Sequence, residues 1–172
     1  SSPLQLAVMT ARLATGTNLE PKLIKSVEGQ TLVTKKPSKI KIKDQYLQII
    51  KNAMFDVSNN RKGTAYSSRI VADQYRMAGK TGTSQVFNIT EKERRMGVIA
   101  NEDREWHRRD HALFVCFAPY EDPKVAVSVV VEHGGGGSKI AAPIGRDITL
   151  QALYGEDPPL SAYPVKDREL IK

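Results

Sequence analysis

Two apolar runs joined by a short proline loop constrain this chain more than any other feature. "HALFVCFA" (111–118) and "VAVSVVV" (125–131) are rich in β-branched and aromatic residues, and "PYEDP" (119–123) connects them like a hairpin. A link this short joins antiparallel strands, because a parallel pair needs a crossover of a dozen residues or more. "VAVSVVV" is nearly continuous in apolar residues, which predicts a central strand covered on both faces, running from Val125 to Glu132. A third strand is expected from Tyr75 to Phe87.

Helices flank these strands. Ser2-Pro3-Leu4-Gln5 reads as a helix start, with Ser as cap, Pro at the first position and Gln at the third. Leu4, Ala7, Val8, Ala11 and Ala14 follow at helical spacing, and Gly16 is the expected stop. A second helix is expected from about Asp44 to Val57, with Leu47, Ile50, Ala53, Met54 and Val57 on one stripe. A last helix is expected from about Lys139 to Tyr154, with Ser138 as cap and Gly155 as stop. Between the first two helices, residues 22–43 alternate in stretches such as "KIKIK", as exposed strands do. The order helix, helix, three antiparallel strands, helix predicts an α+β fold with an antiparallel sheet flanked by helices. Residues 1–155 form the domain, and the proline-containing tail 156–172 is expected to be an extended or loosely ordered arm.

Composition removes several function classes. The net charge of +7 is unevenly spread: seven Lys meet three acids between Glu20 and Asp44, but six bases and six acids cancel between Glu91 and Asp110. No basic stripe interleaved with aromatics is present, so nucleic acid is not an expected partner. No run approaches the length of a membrane span, and "SSPLQL" lacks the basic start and apolar run of a signal peptide. The missing initiator Met suggests a piece of a longer protein. Cys116, the one cysteine, lies inside an apolar strand and reads as a buried small hydrophobe rather than a nucleophile.

"AGKTGT" (78–83) admits two readings. A phosphate-binding loop needs Gly five residues before Gly79, where Gln74 stands, and a helix after the Thr, where "TSQVFNIT" is strand-like. "GGGGSK" (134–139) fails too, because Ser138 precedes Lys139. An edge strand fits better: Lys80 and Gly82 point one way, Thr81 and Thr83 the other. The glycines leave room for another backbone, and an ammonium with hydroxyls can meet a carboxylate.

"AGKTGT" resembles the Lys-Thr-Gly box of the penicillin-binding transpeptidases and serine β-lactamases. "SPLQLAVMTARLATG", "NAMFDVSNNRKGTA", "RDHALFVCFAPY" and "VAVSVVVEHGGGGS" resemble the class B penicillin-binding proteins in the same order, over roughly residues 2–155. "HRRDHALFVCFAPY" is most similar to the elongation-type branch, penicillin-binding protein 2. The resemblance implies a D,D-transpeptidase that cross-links peptidoglycan stem peptides ending in D-Ala-D-Ala and is acylated by β-lactams. It needs no cofactor or metal. Lys80 would supply positive charge beside the nucleophile, and Thr81, Gly82 and Thr83 would bind substrate. The Thr83 backbone N–H would be an oxyanion-hole donor. The family also implies the periplasmic face of the bacterial inner membrane, with the anchor outside this chain, and contact with a polytopic glycosyltransferase and elongation-complex proteins.

Two further boxes are required, and this chain supplies only look-alikes. Ser38-Lys39-Ile40-Lys41 and Ser58-Asn59-Asn60 match by pattern, but the nucleophile must open a buried helix and both boxes belong upstream of "SPLQL". The nucleophile Ser is therefore expected outside this chain, together with the rest of the transpeptidase domain. "HRRDH" (107–111) echoes an inverted metalloprotease motif, but His111 enters a strand, and Arg108, Arg109 and Asp110 read as loop braces. His133 reads as a packed or exposed strand-end residue. A binding or assembly module without activity, prone to self-association, and a serine β-lactamase-like fragment are the alternative readings.

Overall fold

The computed structural model describes residues 2–31 and 36–171. Helix α1 (Pro3–Thr15) starts at the expected box: Ser2 Oγ accepts the Gln5 N–H at 3.3 Å, and Gln5 Oε1 accepts the Ser2 N–H at 2.8 Å. Both donors would otherwise lack a partner. Gly16 closes the helix at φ 68°, where a side chain is disfavoured.

The strands expected over 22–43 shrink to an exposed hairpin, β1 (Ser26–Val27) and β2 (Gln30–Thr31). Lys39 makes a single bridge to Thr17, and residues 40–43 join no ladder. Alternation alone does not make a strand when no neighbour lies alongside. The part of that expectation on residues 32–35 falls outside the described residues.

Helix α2 (Asp44–Asn59) runs past the expected end. Met54 and Ser58 are its buried residues, Leu47 and Val57 are half-buried, and Ile50 and Ala53 are exposed. Most of its cover is on the C-terminal half, so the buried stripe is shorter than the apolar pattern.

Strands β3 (Ala78–Ser84), β4 (His111–Ala118) and β5 (Val125–Val131) form one antiparallel sheet in the order β3-β4-β5, with a short helix α3 (Glu91–Met96) in the β3–β4 connection. β4 has the predicted bounds, and β5 ends one residue early. β3 is shorter than expected: Tyr75 ends a 3₁₀ turn, and beyond Ser84 the Val86 N–H leaves the ladder for Asp110 Oδ1 at 3.3 Å. The central strand is β4, not β5. β5 has α1 and α4 (Ala142–Tyr154) packed on it but one strand neighbour among the described residues. A β-branched run reports covered faces, not the number of paired edges.

The sheet separates two apolar layers. On one face Phe117 and Ala78 pack with Ala14 of α1 and Met54 of α2. On the other, Phe114, Cys116, Val127 and Val129 pack with Ala142 and Leu150 of α4. Phe114 occupies space that two glycines leave empty. A Cβ at Gly79 would lie 2.6 Å from its Cζ, and one at Gly145 would lie 2.6 Å from its Cδ1.

Helix α4 does not begin as predicted. A π-helical turn, Gly137–Ala141, precedes it, Ser138 makes no cap, and Ala141 holds the N-cap position without a side-chain bond. The cause is steric: a Cβ at Gly137 would sit 2.3 Å from the Gly82 oxygen and 2.4 Å from that of Leu113. The backbone lies directly on the sheet there, and the turn winds wide to reach it. Gly155 ends α4 at φ 70°, as expected.

The tail is not a loose arm. It makes 3₁₀ turns at Leu160–Ala162 and Val165–Asp167, and the Val71 N–H donates to the Ala162 oxygen at 2.8 Å. Ala162 and Tyr163 are buried, and Arg146 of α4 is held by Asp147 and by Asp167 of the tail. Prolines fixed the tail's path without freeing it.

Two outcomes follow for the full-length protein. Tyr163→Ala should destabilise it by about 3 kcal/mol, measured by chemical denaturation; an unchanged midpoint would return the tail to a loose arm. Burial pushes the Cys116 thiol up to about 12, against a weaker pull from the Thr149 hydroxyl. Iodoacetamide at pH 8 should therefore modify Cys116 only after denaturation. Because the unfolded thiol ionises first, this group's contribution to stability falls as pH rises toward about 12.

Candidate functional site

Strand β3 begins buried and ends exposed. Ala78 and Gly79 are sealed against the sheet's layers, Thr81 and Gly82 are half-buried, and Lys80, Thr83 and Ser84 face solvent. The register sets Lys80 opposite Val115, Thr81 opposite Phe114, Gly82 opposite Leu113 and Thr83 opposite Ala112. Among the described residues no strand pairs with the other edge of β3. The sequence-predicted residues Lys80, Thr81, Gly82 and Thr83 thus lie on one strand at a sheet edge, with Lys80 and the two hydroxyls on opposite faces.

Three of the four are held by a neighbour. Lys80 Nζ donates to the Thr81 oxygen at 2.6 Å. Thr81 Oγ1 lies 2.8 Å from Thr64 Oγ1, with either hydroxyl able to donate. Gly82 is backed by the Gly137 main chain. Sequence reasoning missed Thr64 and Gly137, although Gly63-Thr64 after a helix end and the four-glycine run were visible signals.

Thr64 is positioned by the end of α2. The Gly63 N–H donates to the Asn60 oxygen at 2.8 Å and the Ala65 N–H to the Val57 oxygen at 2.9 Å. A Cβ at Gly63 would lie 2.3 Å from the Asp56 oxygen, so only glycine lets the turn close. Asn59 Nδ2 donates to the Phe55 and Met77 oxygens, each at 2.9 Å, which ties α2 to the root of β3.

Ser38, the look-alike of the nucleophile box, opens no helix, and the look-alike of the second box, Ser58-Asn59-Asn60, lies at the end of α2. Ser58 Oγ is buried without a partner, and Asn59 is spent on backbone. Ser38 sits in a loop where its oxygen accepts the Asn18 N–H at 2.7 Å.

The β3–β4 connection is braced as expected. The Asp110 carboxylate accepts from the Val86 N–H and Asn101 Nδ2 and lies 3.7 Å from Arg104. Arg109 donates to the Arg104 and Glu102 oxygens, and Arg108 stands over the Phe87 ring. Glu102 is held below the usual carboxylate range, first by its own backbone N–H and then by Lys139 at 3.1 Å. His107 turns to Glu105 at 3.5 Å, whereas His111 Nδ1 accepts the His133 N–H at 2.9 Å. The two histidines of "HRRDH" thus serve different partners. His133 packs between Trp106 and His111, with ring centroids 4.5 and 4.8 Å away.

The arrangement presents an ammonium, two hydroxyls and a strand edge to an extended ligand. Its likeness to known proteins runs through the whole chain. The penicillin binding protein transpeptidase domain family matches residues 1–150. Peptidoglycan D,D-transpeptidase MrdA of Haemophilus influenzae is 35% identical over 171 residues, which covers 96% of this chain and 26% of that protein. Penicillin-binding protein 2 of Pseudomonas aeruginosa, solved in complex with WCK 5153, superposes with a TM-score of 0.70 at 32% identity, over 96% of this chain and 33% of that one. The Helicobacter pylori complex of penicillin-binding protein 2 with MreC gives 0.66 at 30% identity, over 90% and 25%. The chain spans about a quarter of the length of the curated relatives it matches. With a match this extended in sequence and fold, the chain belongs to the penicillin-binding protein transpeptidase domain family.

Proposed function

We propose that the full-length protein is a peptidoglycan D,D-transpeptidase of the penicillin-binding protein 2 type, serving cell-wall elongation. The observation that carries this reading is a family match over residues 1–150 with "AGKTGT" on an edge strand inside it. The nucleophilic serine belongs to a part of the protein outside this chain. Its Oγ attacks the carbonyl of the D-Ala-D-Ala bond, terminal D-Ala leaves as its nitrogen takes a proton, and an amine of a second stem peptide displaces the serine. A β-lactam acylates the same oxygen, but its opened ring stays attached and blocks the second step.

Within this chain the stem peptide lies along β3 as an added strand. Lys80 supplies positive charge beside the serine, and the Thr81 and Thr83 hydroxyls hold the substrate or drug carboxylate. Gly82 lets the peptide main chain come close. The Thr83 N–H donates to the oxyanion as it develops. No helix among the described residues is long and apolar enough to cross a membrane. The reading places the anchor elsewhere in the protein and this domain on the periplasmic face of the inner membrane. The structure of a relative bound to MreC supports an elongation-complex partner, and a polytopic glycosyltransferase is a further one.

Lys80→Ala in the full-length protein should slow acylation by a fluorescent penicillin on the order of 10²-fold with the melting temperature kept; unchanged kinetics would remove Lys80 from the site. The isolated 172-residue chain should gain no mass on incubation with penicillin, and a gain equal to the drug would defeat the assignment of the nucleophile. Leu4, Met9, Ile49, Ile144 and Ile148 are exposed on its helices, so the isolated chain should self-associate. A monodisperse monomer in light scattering would overturn that.

A further inference from the structure

His111 follows directly on the strand pairing that fixes the site, since it stands opposite Ser84, the residue after Thr83. Its Nδ1 accepts the backbone N–H of His133 at 2.9 Å. A backbone N–H can only donate, so Nδ1 carries no proton and the His111 ring is neutral. His133 is held at φ 55°, a left-handed conformation that non-glycine residues rarely adopt. It opens the turn that sets the glycine run. The Gly134 N–H donates to the Val131 oxygen, the Gly135 N–H donates to the Asp110 oxygen, and the Gly136 oxygen accepts the Lys139 and Ile140 N–H groups. Gly137 comes next, with its main chain against Gly82. An unbroken line of contacts therefore runs from the His111 ring to the backbone behind Gly82 and Thr83.

We propose that His111 is a positioning residue whose neutral ring holds the 133–137 turn, and through Gly137 the Gly82–Thr83 strand, in register. The substrate role of that strand rests on the transpeptidase reading above; the hold itself does not. Protonation of Nδ1 turns the acceptor into a donor aimed at another donor, and the bond is lost. The groups around it do not replace that acceptor. His133 Nδ1 is spent on the Arg109 oxygen, and the Asp110 carboxylate on Val86, Asn101 and Arg104. The Arg109 guanidinium points to the Arg104 and Glu102 oxygens, and Lys139 pairs with Glu102. Trp106 covers His133 with an uncharged ring, Glu132 is exposed, and Ser84 is neutral.

The test uses the full-length protein labelled with ¹⁵N-histidine. In its spectra the His111 ring, identified by its loss in His111→Asn, should show the Nε2–H tautomer at neutral pH. The His133 backbone amide should shift in step with protonation of the His111 ring as the pH is lowered. Penicillin acylation should fall roughly 2- to 10-fold with that protonation, the size of one net hydrogen bond. His111→Asn, whose Oδ1 stays an acceptor at every pH, should remove that acid step. His111→Phe should lower acylation across the whole range. A His133 amide indifferent to His111 titration, or an Asn variant that keeps the acid step, would overturn the proposal. A protein that takes up no penicillin at any pH would instead defeat the transpeptidase reading, and the His133 amide would still decide the hold.

Discussion

The Phe114 ring in its two-glycine clasp is the contact on which the rest depends. A ring that size reaches β3 and α4 together only because Gly79 and Gly145 present no Cβ to it. Protein interiors are packed too tightly to absorb an added methyl against a rigid ring without a shift. The distance between sheet and helix is therefore set at one residue, on the central strand, directly opposite Thr81. The helix placed by that ring starts from the turn whose Gly137 lies on Gly82. The core and the candidate site are fixed by the same few atoms.

This geometry explains how a peripheral strand can be rigid. β3 has a strand partner on one side only among the described residues, and an edge of that kind is usually where sheets fray. Here it is also pinned from α2 through Asn59, from the Thr64 turn, and from the glycine run. The apolar residues left exposed on α1, α2 and α4 fit a chain that spans about a quarter of its relatives.

Local chemistry was the legible part of the sequence. The Ser2–Gln5 box and the stops at Gly16 and Gly155 depend on neighbours a few residues away, and each is legible; β4 is legible because its apolar run and the short proline loop after it are contiguous. What needed distant partners was not. The alternation of "KIKIK" says strand, but among the described residues its pairing is limited to the single Lys39–Thr17 bridge. "VAVSVVV" reports covered faces, and β5 has them without the central place such a run predicts. Ser138 has the chemistry of a cap, yet the demand that Gly137 touch Gly82 moved the helix start past it. Lys80, Thr81 and Thr83 were legible because "AGKTGT" is contiguous. Thr64 was not, because the hydroxyl it meets lies seventeen residues on.

The Thr64–Thr81 pair has a polarity that the bond length does not reveal. Two hydroxyls 2.8 Å apart can share their proton in either sense. If Thr81 donates to Thr64, its oxygen offers only lone pairs outward and repels an anion. If Thr64 donates to Thr81, the Thr81 proton is free to point away from the protein, and the first bond polarises the second. An arriving carboxylate would select the second sense and turn both rotors together. Thr64 would then act on a ligand it never touches, by setting the direction of a two-bond chain.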